Sequence, residues 1–129
     1  MDVLIFIVSG TLAAATALIF AAMGELVAEK SGVLNLGIEG MMAIGAAMGF
    51  VALTLSGSYT VGFMAAAVLG CLLSLVHAVL TLVFRADQTA SGLAIGILGL
   101  GLSSAIGKSY EGRTVAGLPE LDLGPLSDI

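Results

Sequence analysis

The feature that most restricts the fold of this chain is the length of its stretches without charged side chains. Segments 3–23 and 41–84 contain no Asp, Glu, Lys or Arg. The first of them would measure about 31 Å as an α-helix, which is enough to cross the hydrocarbon core of a bilayer. Only 10% of the 129 residues are charged, whereas soluble domains have about 25%. A soluble domain would lack the polar surface to cover its core, so the sequence predicts a membrane protein.

Short polar breaks divide the chain into four predicted transmembrane helices. The predicted spans are 3–23, 34–55, 60–84 and 88–107, followed by a polar loop or tail at 108–129. Residues 41–55 alone are too few to span, because a transmembrane helix needs about 17 to 25 residues. The second helix is therefore expected to begin near Val33 or Leu34. The sequence lacks the alternation of polar and apolar residues that is typical of a β-barrel. The predicted fold class is therefore all-α and polytopic.

Small residues recur at helical spacing on all four predicted spans, as Gly10, Ala14, Ala17, Ala21 and Gly24 do on the first. Lipid gives helices no hydrophobic reason to associate, and small side chains let their backbones approach closely. We therefore expect each span to pack against another helix in a tight bundle. The glycines predicted to form these contacts are Gly45, Gly49, Gly62, Gly70, Gly92, Gly96 and Gly99.

The segment before the second span has the composition of a helix break. Ser31-Gly32 is a helix stop, and Asn35 can cap a new helix whose first turns are loosened by glycines. Broken helices are tolerated in membranes where they are buried in protein or line a wet cavity, and in transporters they often lie at the binding site. An ordinary interfacial loop, with Glu39 among the lipid headgroups, is the alternative. The candidates for a solute pathway or gate here are Asn35, Gly37, Glu39 and Gly40.

His77 is the only histidine, and it shares the small-residue face of the third span with Gly70 and Ser74. An ionisable group inside a bundle is a candidate functional residue. It is interpreted either as a structural hydrogen-bonding group or as a pathway or gating residue. The single cysteine, Cys71, and the lack of a second histidine argue against a metal site.

Several other functions are disfavoured by the sequence. The net charge of −5 argues against nucleic-acid binding. The stretch GLSSAIGKS resembles a phosphate-binding loop, but five residues separate Gly101 from Gly107 where that motif has four. No catalytic triad, carboxylate pair or cofactor fingerprint is present, so neither an enzyme nor a cofactor is expected. The acidic start and long apolar run also argue against a cleaved signal peptide.

Three segments resemble a known transporter family. They are GELVAEKSGVLNLGIEGMMAIGA at 24–46, ADQTASGLAIGILGLGLSSAIGKSY at 86–110 and GLPELDLGPLSDI at 117–129. Together they are similar to the bacterial ABC-importer permeases of the nucleoside and simple-sugar branch, which is related to ribose and branched-chain amino-acid permeases. The first segment is the most specific of the three.

This resemblance implies a permease subunit of an ATP-binding-cassette importer in the bacterial cytoplasmic membrane. Its expected partners are a second permease subunit, a cytoplasmic ATP-binding subunit and an extracytoplasmic solute-binding protein. Nucleosides are the first expected substrates and simple sugars the second. Charge alone leaves the orientation open, because Lys30 and Arg85 balance Lys108 and Arg113. The resemblance places the Arg85 loop in the cytoplasm and the N-terminus outside.

Permeases of this family are about twice as long as this chain, so the resemblance implies the N-terminal half of a permease domain. The fragment is expected not to transport alone, because the later loop that would engage the ATPase is missing. The alternative is a small self-associating helical membrane protein, a channel-like or scaffold module that is complete at four spans.

Overall fold

The computed structural model describes residues 2–117 and contains four long α-helices. They are α1 (Asp2–Lys30), α2 (Ile38–Ser56), α3 (Tyr59–Ala78) and α4 (Gln88–Lys108), and a π-helical turn, Val79–Val83, continues α3. All four helices, with α3 taken through this turn, are long and apolar enough to cross a membrane. No strand occurs within residues 2–117. The predicted all-α, polytopic architecture is therefore confirmed.

The helices differ from the predicted spans at two places. α1 continues to Lys30 rather than ending at Met23. α2 begins at Ile38 rather than at Leu34, and its 19 residues are nevertheless sufficient, because they form about 28 Å of helix against a core of about 30 Å. The prediction that the second helix begins near Val33 or Leu34 is therefore wrong. Residues 118–129 of the predicted tail lie outside the described part of the chain.

α1 ends in a Schellman motif at Gly32. This glycine has a φ of +86°, a left-handed conformation that favours glycine. Its N–H donates to the carbonyl of Glu29 at 2.9 Å, and the N–H of Val33 donates to the carbonyl of Ala28 at 3.0 Å. This pair of bonds closes the end of a helix and redirects the chain. The helix stop predicted at Ser31-Gly32 is therefore confirmed.

α2 lies at the centre of the bundle and packs against both α3 and α4. The most buried apolar side chains come from α2 and α4 and are Met41, Ile44 and Ile95. On the α3 side, a Cβ added at Gly62 would lie only 3.0 Å from the carbonyl oxygen of Gly49. Glycine therefore allows the two backbones to approach closely, which is how helices associate in membranes.

α1 does not share this packing. Among the described helices it contacts α2 alone. A Cβ added at Gly10 or Gly24 would meet no atom within 4 Å, and large side chains such as Phe6 and Phe20 are exposed. Within the described residues, α1 therefore lacks the tight packing against another helix that was expected of every span. Its small residues recur at helical spacing, but no described helix lies against them.

The π-helical turn after α3 was not predicted. The N–H of Phe84 donates to the carbonyl of Val79 at 3.1 Å, the wider spacing of a π-helix. The Thr81 hydroxyl donates to the carbonyl of His77 at 2.9 Å. Both His77 and Thr81 are buried. The turn therefore begins two residues after His77 and keeps a second polar side chain on the same buried side.

The chain after α4 returns towards the start of α3. The Tyr59 hydroxyl lies 2.5 Å from the carbonyl oxygen of Ala116 and 2.6 Å from that of Gly117. Next to this contact, α2 and α3 border an open cleft of about 380 Å³ whose large side chains include Phe50, Phe63 and Tyr59. The cleft is almost wholly apolar, so it offers few groups that could fix a polar solute.

Candidate functional site

The candidate site is built around a non-helical connection between α1 and α2. We call residues 33–37 the link; they have extended and turn conformations rather than helical ones. Within a membrane, backbone N–H and C=O groups outside a helix need partners from the protein. Four helices surround the link, and side chains from α1, α3 and α4 bond to its backbone.

Leu34 is bonded on both sides of its backbone. Its N–H donates to Oε1 of Gln88, at the start of α4, at 2.7 Å. Its carbonyl oxygen lies 3.1 Å from Nε2 of His77 on α3. Nε2 of Gln88 also donates to the carbonyl of Gly32 at 3.2 Å. The Gln88 amide therefore bonds to the connection with its donor and its acceptor at once, which fixes its orientation.

Asn35 is buried and bonds both to α1 and within the link. Its backbone N–H donates to Oε1 of Glu25 on α1 at 2.8 Å. Its side-chain Oδ1 accepts the N–H of Gly37 at 3.0 Å, two residues further along. Asn35 thus forms an Asx turn that precedes α2, while Gly37 occupies the N-cap position of that helix. The helix start predicted here is present, although Asn35 was expected to cap it directly.

Glu25 supplies only one of its two carboxylate oxygens to the link. Oε1 accepts the Asn35 N–H, and Oε2 is buried without a hydrogen-bond partner among the described residues. The carboxylate joins the end of α1 to the link across ten residues of sequence. An acceptor at this point stabilises an N–H that helix geometry leaves free.

His77 is the most buried polar side chain among the described residues, with 2% of its surface exposed. A carbonyl oxygen only accepts, so the contact with Leu34 requires a hydrogen on Nε2. The other ring nitrogen, Nδ1, lies 3.5 Å from the Ser91 hydroxyl, which also donates to the carbonyl of Gln88 at 3.2 Å. His77 therefore joins α3 to the link and borders α4.

Glycines bring α4 against the link and the first turn of α2. A Cβ added at Gly37 would lie 2.7 Å from the carbonyl oxygen of Gly92, and one at Gly40 would lie 2.7 Å from Cα of Gly96. A Cβ at Gly99 would likewise lie 2.7 Å from Cα of Gly40. Gly37 and Gly40 were expected to loosen this turn. The structure instead gives them a packing role, because there is no room for a side chain.

Glu39 lies in the first turn of α2, and its side chain is exposed. No described side chain or backbone group forms a hydrogen bond with its carboxylate. A negative charge in the first turn complements the helix dipole. Glu39 is thus placed beside the link but faces away from the bonds that hold it.

The structure brings together Asn35, Gly37, Gly40 and His77, and it leaves Glu39 on the outside. Of the glycines predicted to pack, those at close helix contacts are Gly45, Gly49, Gly62, Gly92, Gly96 and Gly99. No atom of the described residues lies within 4 Å of a Cβ added at Gly70. The direction in which a Cβ of Gly70 would point is therefore open, although Gly70 continues the same stripe as Gly62.

Sequence reasoning did not select Glu25, Gln88 or Ser91. Together with Asn35 and His77, these side chains form what we call the polar junction. Gln88, Thr89 and Ser91 are polar residues at the start of α4, directly after Asp87, whose side chain accepts the Ala90 N–H, and the next eleven residues of the helix are apolar. That position was a usable signal, because polar side chains are costly within the membrane unless they find partners.

Comparison with known proteins agrees with this architecture. Residues 7–118 match the model of the family described as "Branched-chain amino acid transport system / permease component". The guanosine ABC transporter permease protein NupQ of Bacillus subtilis is 40% identical over 119 residues, covering 88% of this chain and 37% of NupQ. The nucleoside ABC transporter permease protein NupC of Lactococcus lactis is 35% identical over 104 residues, covering 76% of this chain and 33% of NupC.

A third relative is TsgC13 of Haloferax volcanii, whose name proposes a glucose ABC transporter permease. It is 39% identical over 115 residues, covering 89% of this chain and 35% of TsgC13. The chain thus spans about a third of the length of these relatives, somewhat less than the half that the resemblance implied. No solved structure matches the chain.

The relatives are named as transport permeases rather than as enzymes. Four apolar helices, each able to cross a bilayer, agree with a multi-pass membrane protein. The family model covers most of the chain, and the relatives match it over three quarters of its length or more. The chain therefore belongs to the family of permease components of branched-chain amino acid transport systems.

Proposed function

We propose that this chain is part of the membrane-spanning permease of an ATP-binding-cassette importer that carries nucleosides or simple sugars. The names of the relatives support this substrate class, since they refer to guanosine, nucleosides and glucose. The resemblance at 24–46 supports nucleosides first. The permease would work with a second permease subunit, a cytoplasmic ATP-binding subunit and an extracytoplasmic solute-binding protein.

Transport of this kind needs alternating access and no covalent chemistry by the permease. The observation that carries the proposal is the link, a break in helical structure whose backbone is bonded to three helices. Such breaks are characteristic of transporter pathways and of their moving parts. Asn35, Gly37, Gly40 and His77 would form or support a gate at this break. The permease would lie in the cytoplasmic membrane, with the Arg85 loop inside and the N-terminus outside.

The proposed function is tested by uptake of labelled guanosine, adenosine, glucose and leucine. The complete permease would be expressed with its partner subunits in cells that lack their own uptake of these solutes. We expect saturable, ATP-dependent accumulation of a nucleoside or of the sugar, and none of leucine. Solute or ion flow that requires neither ATP nor partner subunits would favour the channel-like module instead. Accumulation of leucine alone would contradict the proposed substrate class.

Glu39 is proposed to face the solute pathway or a partner subunit. Its carboxylate lies at the start of α2, and positions 41 to 84, which include the rest of α2 and all of α3, carry no Asp, Glu, Lys or Arg. A charge that faced lipid hydrocarbon would be costly, which favours a wet pathway or a polar partner. We therefore expect Glu39→Gln to lower maximal uptake several-fold at normal expression.

Glu29→Gln is the matched control, because Glu29 is an exposed glutamate in the last turn of α1. Both substitutions keep the shape of the side chain and should change stability by no more than about 0.5 kcal/mol. We expect the Glu29 variant to transport at the wild-type rate. Wild-type uptake by the Glu39 variant would remove Glu39 from the mechanism.

A further inference from the structure

The attachment of α1 to the rest of the bundle differs from that of the other helices. α2 meets α3 and α4 through backbone contacts at glycines. α1 contacts no described helix except α2, and polar bonds at the link join it to α3 and α4. The direction of α1 is therefore set largely where the chain turns, between Gly32 and Gly37.

Gln88 and His77 are well placed to hold that turn. Gln88 bonds to backbone groups on both sides of Val33, namely the carbonyl of Gly32 and the N–H of Leu34. His77 bonds to the carbonyl of Leu34 from the other helix. Gly32, with its φ of +86°, is the residue at which the chain leaves α1. The two side chains thus hold the chain immediately after the residue at which it leaves α1.

We propose that Gln88 and His77 are positioning residues that form a latch on Leu34, and that opening of this latch lets α1 change its angle during transport. The inference rests on the proposed transport function and adds a mechanism to it. Where a wet pathway reaches the link, the bonds of the half-buried Gln88 can be exchanged for bonds to water at little net cost. The glycine contacts between α2 and α4 are made by backbone atoms and cannot be exchanged in this way, so α2 and α4 would move as one unit.

The latch is tested by the reactivity of a thiol placed within it. Val33 is half-buried, and Val33→Cys would report exposure of the link in a Cys71→Ser background. The key variant is Gln88→Met, which keeps the approximate length of the side chain and removes both of its bonds. We expect it to raise the rate of labelling by a water-soluble maleimide about tenfold, since two hydrogen bonds no longer oppose local opening.

Thr89→Val is the matched control, because Thr89 is exposed on the same turn of α4. We expect this variant to be labelled at the wild-type rate. If Gln88→Met fails to reach the membrane, Gln88→Asn is the milder variant, since its shorter amide cannot reach both backbone groups. Wild-type labelling in a folded Gln88 variant would overturn the latch.

Transport kinetics distinguish a positioning role of Gln88 from direct contact between Gln88 and the solute. We expect Gln88→Met to change the maximal uptake rate while the solute concentration for half-maximal uptake stays within about twofold of wild type. A rise in half-saturation with an unchanged maximal rate would assign Gln88 to solute binding and overturn the positioning role. The labelling assay does not depend on transport. If the wild-type protein transports no solute but Gln88→Met still raises labelling at position 33, the proposed function is contradicted and the latch is not.

Discussion

Gly99→Ala is expected to destabilise the protein severely, although it adds only one methyl group. A Cβ at this position would overlap the backbone of Gly40, with 2.7 Å to its Cα and shorter approaches to its carbonyl carbon and oxygen. Backbone atoms cannot rotate away as a flexible side chain can, so α2 and α4 would have to separate. Overpacking of this kind costs about 1–3 kcal/mol or more. We expect a lower melting temperature in detergent and less monodisperse protein.

Gly101→Ala is the matched control for this prediction. It lies two residues further along α4, and a Cβ added there would meet nothing within 4 Å. Alanine is favoured over glycine inside a helix by about 0.5–1 kcal/mol. The two substitutions should therefore shift the melting temperature in opposite directions. Equal shifts would mean that α4 does not approach α2 as closely as the structure describes.

His77→Leu is expected to have the second-largest effect, because it removes a buried donor. The Leu34 carbonyl would lose its bond to Nε2, made at 3.1 Å by a side chain that is 2% exposed. A backbone acceptor left unpaired in a buried site costs about 1–3 kcal/mol. We expect a corresponding loss of thermal stability, measured in detergent as for Gly99→Ala.

His77→Gln distinguishes this explanation from a simple change in packing. A glutamine amide can place an N–H near the position of Nε2, so it should restore much of the lost stability. Val76→Ala is the control, since Val76 precedes His77 and is 47% exposed. If the leucine variant proves as stable as wild type, the hydrogen bond to Leu34 does not contribute to holding the link.

The helices and the break between α1 and α2 could be predicted from the sequence. The lengths of the apolar segments, compared with the thickness of a bilayer, indicated four spans. Ser31, Gly32 and Asn35 are strong local signals of a helix break. These features depend on neighbouring residues alone. The π-helical turn at 79–83 carried no such signal, since its residues VLTLV would fit a regular apolar helix equally well.

The polar junction could be predicted only in part, because its members lie far apart in the sequence. Gln88 is 54 residues from Leu34, and Glu25 is ten residues from Asn35. Sequence reasoning singled out Glu39 because glycines lie close to it on both sides. The structure shows that Glu25 is the carboxylate that bonds to the link. Which acidic side chain can reach the link depends on how the link turns back against α1. Local composition does not specify that geometry.

The spacing of the glycines likewise predicts only in part which helices pack together. Gly96 and Gly99 lie against Gly40 of α2, and Gly92 lies against Leu36 and Gly37 of the link. Gly10, Gly24 and Gly70 recur at similar spacing, but a Cβ added at any of them would meet no described atom within 4 Å. Spacing identifies a face on which a helix could pack. Which faces are used depends on the arrangement of the whole bundle.

The backbone of the link is bonded to side chains, unlike that of a solvated interfacial loop. Hydrogen–deuterium exchange at single-residue resolution, on the protein in lipid nanodiscs, distinguishes these two states. The N–H groups of Leu34, Asn35 and Gly37 are bonded to Gln88, Glu25 and Asn35 respectively. We expect them to exchange about a hundredfold more slowly than those of the exposed segment 114–115, because exchange requires local opening. Exchange as fast as in that segment would mean that the link is a solvated loop and that these side chains do not hold it.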